Sequence, residues 1–213
     1  MSDDEIPHLR PVTHLRPVTD IGKPISTVVR ETATMPGDPR VFHLSGSKLP
    51  HRGIHMPERM KQWAEDDDSR CLYLHGEYKS GKTWLGVYAA MLCGAHRMGY
   101  WSESRYVEDL DRKRWYERML VNDTRNDMLW EEFRVYEEAF LKLTMIEPLV
   151  IDELFYWDLP DFKQLELDKL IKQRLDLGLV TVLCARRLPP HNSMLGRLLT
   201  EYATIIDLPL LGA

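Results

Sequence analysis

The chain has 213 residues, 44% of them apolar and 29% charged, and a formal net charge of −5. This is ordinary globular composition, and the acidic balance excludes a protein that coats nucleic acid by bulk charge, so any such contact must come from a local patch. Three cysteines, Cys71, Cys93 and Cys184, lie far apart in apolar stretches with no C-x-x-C among them, the pattern of reduced thiols in a cytoplasmic protein rather than of a disulfide framework.

The opening MSDDEIPHLR is acidic and lacks an apolar run, so it does not read as a signal peptide. No segment approaches membrane-spanning length. Prolines recur at Pro7, Pro11, Pro17, Pro24, Pro36, Pro39 and Pro50, and HLRPVT stands in tandem at 8–13 and 14–19. Each proline removes a backbone donor and biases the preceding residue away from helix. Residues 1–50 are therefore expected to form a mostly extended or disordered arm, either a solvated leader or a partner-binding segment, with the folded domain over 51–213.

A short helix is expected over 57–63, followed by the charged turn EDDDSR. CLYLH (71–75) reads as a strand. KTWLGVYAAMLCGAHR from Lys82 reads as a helix with Leu85, Ala89, Leu92 and Cys93 on one face and Gly99 ending it. GYWSE is a second strand. The helix SRYVEDLDRKRWYERML follows, with Tyr106, Leu110, Arg114 and Met119 roughly aligned, and another helix covers 127–144. EPLVID is a third strand. Pro160 and Asp161 open a helix that buries Leu167, Leu170, Ile171 and Leu175 and closes at Gly178. LVTVLCA, a short helix near 193–201 and the strand ATIIDL complete the pattern. Strands alternating with crossover helices imply an α/β fold with a parallel sheet covered on both faces.

Gly76 to Thr83 spell G-x-x-x-x-G-K-T between the first strand and its helix, the context a phosphate-binding loop needs. Backbone N–H groups at a helix N-terminus cradle phosphate, where the dipole also favours anions. The candidate nucleotide-binding set is Gly76, Glu77, Tyr78, Lys79, Ser80, Gly81, Lys82, Thr83 and Trp84. Lys82 would neutralise the β- and γ-phosphates of ATP, and the Thr83 hydroxyl would ligate Mg²⁺. Hydrolysis needs a further acid near the metal. The strand Leu149-Val150-Ile151 delivers Asp152 to the carboxyl edge of the sheet as the second candidate metal residue, and Glu153 is placed to orient or deprotonate water.

CLYLHGEYKSGKTWLGVYAAML resembles the Walker A region of DnaC/DnaI-type helicase loaders and of the IstB transposition helpers. MPERMKQWAEDDDSR resembles the helix and spacer before their first strand, GYWSESRYVEDL their second strand and its helix, PLVIDEL their Walker B, and GRLLTEYATIIDL their closing segment. The resemblance covers about residues 55–208. It implies a P-loop NTPase of the AAA+ ASCE type, with a five-stranded parallel sheet of order 5-1-4-3-2 flanked by helices. It also implies ATP-dependent self-association into an oligomer and delivery of a hexameric, DnaB-like replicative helicase to single-stranded DNA in a bacterial or phage-infected cell. By position, Arg197 resembles the arginine finger that reaches a neighbour's γ-phosphate.

The chain departs from that family at several points. Family loops often carry a middle glycine where this chain has Lys79, and the fourth strand runs into Cys184-Ala185-Arg186-Arg187 where relatives have an asparagine that senses γ-phosphate. Arg186 is a fixed cation with no acceptor, which weakens the case for efficient hydrolysis. No helical lid is expected after the last strand, and the sequence shows no arginine-rich lid over the phosphates of the kind a small-molecule kinase uses, which makes a kinase the less favoured alternative. A transposition helper acting on duplex DNA, and an adaptor that binds nucleotide with little turnover, stand as alternatives.

RKRWYER at 112–118 interleaves cations with aromatics. Arg112, Lys113, Arg114 and Trp115, with Arg186 and Arg187, are the candidate DNA contacts, by phosphate pairing and base stacking. The same run also reads as an amphipathic helix with solvated charges, given Glu108, Asp109, Asp111 and Glu117 beside it. His75 and His96 lack ligand spacing, and Met91, Met119, Met128 and Met145 read as core filler.

Overall fold

The computed structural model describes residues 41–43, 56–66, 69–93, 97–155 and 159–209. The HLRPVT tandem, the prolines of the expected arm and His96 lie outside the described residues.

The elements in chain order are β1 (Val41–His43), α1 (Glu58–Glu65), β2 (Cys71–Gly76), α2 (Lys82–Leu92), β3 (Arg97–Ser102), α3 (Glu103–Asn122), α4 (Asp127–Met145), β4 (Leu149–Leu154), α5 (Asp161–Asp176), β5 (Thr181–Ala185), α6 (Met194–Tyr202) and β6 (Ala203–Leu208). The sheet runs β1-β3-β4-β5-β2-β6. β3, β4, β5, β2 and β6 are parallel; counted as the five strands expected from the sequence, they lie in the order 2-3-4-1-5. This is the expected 5-1-4-3-2 read from the opposite edge. The described helices alternate with the parallel strands as crossover connections, and none of them is long and apolar enough to cross a membrane.

Alternation along each strand divides the core into two layers. Leu72, Leu74, Met98, Val150, Val182, Cys184 and Ile206 pack with α1 and α2 on one face. Tyr73, Trp101, Leu149, Ile151, Leu183 and Ala185 pack with α3, α4, α5 and α6 on the other.

The edge strand β1 falls within the stretch expected as an arm. It pairs antiparallel with β3, Phe42 opposite Met98 and His43 opposite Arg97. Arg97 and Met98, expected as the end of a helix, are strand residues for this reason, and α2 stops at Leu92. Gly99 is correspondingly no helix terminator. A Cβ there would stand 2.4 Å from Ile146 Cγ2 and 2.8 Å from Leu149 Cδ1, so glycine lets the end of α4 lie close on the sheet. Three helices start at side-chain caps. Ser102, Asn126 and Ser193 each accept a backbone N–H of the first turn of α3, α4 and α6.

Arg174 of α5 is only 1% exposed. Its guanidinium donates to the carbonyls of Thr144 and Val180 and to the Thr181 hydroxyl, which ties the end of α4 and the start of β5 to α5. Burial lowers its pKa to about 10, so it remains charged at neutral pH.

Candidate functional site

The loop from Gly76 to Thr83 joins the end of β2 to the start of α2, as its sequence requires. Gly76 has φ 153°, and a Cβ on it would lie 2.5 Å from the Leu208 carbonyl oxygen of β6. Only glycine lets the strand end turn away there. Gly81 precedes the helix at φ 85°. Lys79 holds φ 67°, the left-handed conformation that a glycine adopts without strain. The departure at this position therefore keeps a loop geometry of glycine type at a cost of about 1–2 kcal/mol. Ser80 is buried, whereas Glu77, Tyr78 and Lys79 face solvent. Trp84 is half-buried on the first turn of α2.

Lys82 folds back into the loop. Its ammonium donates to the carbonyls of Gly76 and Glu77, each at 2.7 Å, and to Ser80 Oγ at 3.2 Å. Burial lowers its pKa; Cys184, Asp152 and Glu77 oppose that shift, and Arg186 reinforces it.

Asp152 is 2% exposed at the end of β4. Two donors hold its carboxylate, the Tyr100 hydroxyl from β3 at 2.8 Å and the Glu153 N–H at 2.8 Å, and the nearby Thr83 hydroxyl of the loop helix favours its charged form. Burial raises its pKa against these bonds and the Lys82 charge. Tyr100 is a site residue that the sequence reading did not single out. Its signal is a long hydroxyl-bearing side chain within β3, two positions short of the Asp152 level in the parallel register, where Tyr100 stands opposite Val150.

Beyond Asp152 the β4–β5 register slips. Ile151 pairs with Leu183 and Leu154 with Ala185, so β4 carries one extra residue. Glu153 and Phe155 take φ 63° and 61°. The bulge leaves Asp152 and Leu154 buried and turns Glu153 outward. The Phe155 N–H donates to Glu103 Oε1 at 3.1 Å, and Glu103 is itself 1% exposed at the start of α3. The Glu153 carboxyl is pushed above the usual range by partial burial, then by Asp152 and Glu103. Lys82, Thr83, Asp152 and Glu153 are thus brought to one edge of the sheet.

The remaining candidates are distributed. Arg186 and Arg187 follow β5 and are exposed; Arg186 Nε lies 3.5 Å from Glu77 Oε2, which brings it to the phosphate loop. The Arg187 carbonyl accepts from the Tyr73 hydroxyl. Arg197 is exposed on α6. The run 112–115 wraps around α3: Arg112 and Trp115 are exposed, the Lys113 ammonium lies 5.7 Å from the centre of the Phe140 ring, and the Arg114 guanidinium stacks 3.8 Å over Phe162 of α5. Those four side chains do not share one face.

The donor set fits the groups the loop implies. A hydroxyl and a nearby buried carboxylate, Thr83 and Asp152, are the hard oxygen donors that Mg²⁺ takes. The loop between Gly76 and Lys82 presents a helix N-terminus and an ammonium to phosphate. Among the described residues, no cluster of three or more His, Cys, Asp or Glu offers a transition-metal site.

No family model and no curated protein matches the chain. Among solved structures, AMPPCP-bound DnaA from Aquifex aeolicus is similar at 16% identity and a TM-score of 0.47 over 71% of this chain and 44% of that one. Domain III of the Thermotoga maritima replication initiation protein DnaA is similar at 16% identity and a TM-score of 0.49, over 76% of this chain and 63% of that one. The DnaC helicase loader is similar at 15% identity and a TM-score of 0.46, over 70% of this chain and 86% of that one. The chain spans less than half the length of the Aquifex DnaA it matches. Each of these is a likeness of fold at low identity.

Proposed function

We propose that this chain is a Mg²⁺-dependent P-loop ATPase that assembles through a shared ATP site and serves DNA replication as a helicase loader. The observation that carries the ATPase reading is the buried Asp152 carboxylate at the strand end beside a loop in which Lys82 bonds the Gly76 and Glu77 carbonyls. Loop N–H groups and Lys82 bind and orient the β- and γ-phosphates. Thr83 and Asp152 hold the ion, which when bound neutralises phosphate charge. Glu153, turned outward by the bulge, orients a water and accepts its proton. The exposed Arg197 would complete the site of an adjoining subunit.

The loader reading rests on the motif resemblance along residues 55–208. Exposed Arg112 and Trp115, one helical turn apart on α3, support contact with single-stranded DNA by phosphate pairing and stacking. The test is binding of Mg²⁺–ATP and capture of the host's hexameric replicative helicase, each with wild type and Lys82→Ala. Nucleotide binding that is lost in Lys82→Ala, and a helicase complex altered by ATP only in wild type, are expected. Capture of a transposase, or consumption of ATP only with a small acceptor, would overturn the loader assignment.

A second reading, an adaptor that binds ATP with little turnover, is favoured by the position of Arg186 beside Glu77. It predicts that Glu153→Gln hardly changes function.

A further inference from the structure

Two cations converge on the phosphate loop at Glu77, one on its backbone and the other on its carboxylate. Lys82 donates to the Glu77 backbone carbonyl, while Arg186 pairs with the Glu77 carboxylate at 3.5 Å. The sheet dictates this meeting. β2 and β5 stay in register as far as His75 opposite Ala185, so Glu77 and Arg186 emerge at the same edge within a residue of each other. The Arg186 N–H also bonds the Leu154 carbonyl at 3.4 Å, which seats Arg186 on the side of the loop where β4 delivers Asp152 and Glu153. After burial, Arg186 is a further cause of the lowered Lys82 pKa, so the two cations feel one another. Two cations at one loop repel unless an anion lies between them. A polyphosphate is such an anion, whereas the Glu77 carboxylate is paired with Arg186 alone.

We propose that Glu77 is a built-in counterion for Arg186, held beside Lys82, that the phosphates of a nucleotide displace, so that the Glu77–Arg186 pair sets the preference of the site for a triphosphate over a diphosphate. The proposal rests on the nucleotide-site reading above and adds to it a competition within the loop. Glu77 and Arg186 side chains are 62% and 60% exposed, so the pair is weak enough to open. Arg186 then turns its planar guanidinium from one carboxylate to the terminal phosphate, which it can bind bidentately. A diphosphate, one group shorter, leaves more of the Glu77 pair in place.

The test is titration of the full chain with Mg²⁺–ATP and Mg²⁺–ADP for wild type, Glu77→Gln, Arg186→Gln and the double variant, with thermal melts to show that each is folded. Glu77→Gln is expected to tighten ATP about three- to fivefold, the range an exposed ion pair supplies, and to tighten ADP less. Arg186→Gln should weaken ATP about tenfold, as loss of a charged hydrogen bond does, and should shrink the ATP-to-ADP preference. In the double variant the gain from Glu77→Gln should fall below about twofold, because non-additivity marks a direct coupling. An equal gain with and without Arg186, an equal gain for both nucleotides, or weaker binding in Glu77→Gln would overturn the counterion role while leaving the nucleotide site intact. Wild type that binds neither nucleotide would remove the site itself and the proposal with it.

Discussion

The Tyr100 hydroxyl reaches from β3 to Asp152 Oδ2 on the adjoining β4 at 2.8 Å. Together with the Glu153 N–H it leaves the carboxylate little freedom to rotate. Groups that orient a metal-binding carboxylate affect metal affinity although they never touch the metal. Tyr100→Phe keeps the ring and removes the hydroxyl that makes that bond. Stability should fall by about 1 kcal/mol, and the Mg²⁺ concentration for half-maximal ATP binding should rise about tenfold. A nucleotide titration at stepped Mg²⁺ reads this directly; an unshifted Mg²⁺ midpoint would leave Tyr100 a packing residue.

Lys79 sits at φ 67°. The left-handed region costs a side chain about 1–2 kcal/mol, whereas glycine loses about 0.5–1 kcal/mol through its freer unfolded state. Lys79→Gly should therefore stabilise the nucleotide-free protein by about 0.5–1 kcal/mol in urea denaturation. Lys79→Ala, which retains the strain, should give no such gain.

The features legible in the sequence are those carried by local signals. The five parallel strands are short apolar runs bounded by breakers, and the loop at Gly76–Thr83 and the acids at Asp152 and Glu153 declare themselves by residue type and spacing. What was not legible depends on partners distant along the chain. Arg97 and Met98 are strand residues through their pairing with β1. The smallness of Gly99 answers Ile146 on another element, so reading it as a helix stop was reasonable locally and wrong in space. Tyr100 finds its acceptor 52 positions away. The bulge that turns Glu153 outward lies in the pairing of β4 with β5 and leaves no trace in the run LVIDEL. Arg186 could be read from sequence as a cation near phosphate or DNA, but its pairing with Glu77 is a property of the folded edge alone.

Arg174 carries a structural load that its charge would not suggest. It satisfies the Thr144 and Val180 carbonyls and the Thr181 hydroxyl from a fully enclosed position. Each buried acceptor left without a donor costs about 1–3 kcal/mol. Arg174→Met should destabilise the chain by about 3 kcal/mol or more, lowering Tm by roughly 6–12 °C for a domain of this size. Arg174→Lys should recover only part, since an ammonium cannot fork to several acceptors in one plane. Denaturation of both variants measures the difference.

Arg197 is exposed on α6, away from the buried face formed by Leu195 and Leu199. If it completes a neighbour's site, its effect depends on assembly. Arg197→Ala should leave ATP affinity within about twofold and cut turnover about a hundredfold or more, with the deficit visible only at concentrations where wild-type turnover rises with protein concentration. Unchanged turnover under those conditions would count against a shared site.

Asp168 gives a pH-dependent test that is independent of the nucleotide site. It lies 6% exposed on α5, and Gln164 Nε2 donates to its Oδ1 at 2.7 Å. Burial raises its pKa, and the Gln164 bond opposes the rise without cancelling it. A carboxyl whose folded pKa lies above its unfolded value contributes stability that is complete below the unfolded pKa and is lost as pH rises through the folded one. At neutral pH the folded protein therefore holds an ionised group that it would rather hold neutral. Asp168→Asn keeps the shape and the acceptor for Gln164 while removing the charge. Its stability relative to wild type should be higher at pH 7.5 than at pH 4, by urea denaturation at both. A difference that does not change with pH would mean that the Gln164 bond, rather than burial, decides the energetics of that carboxyl.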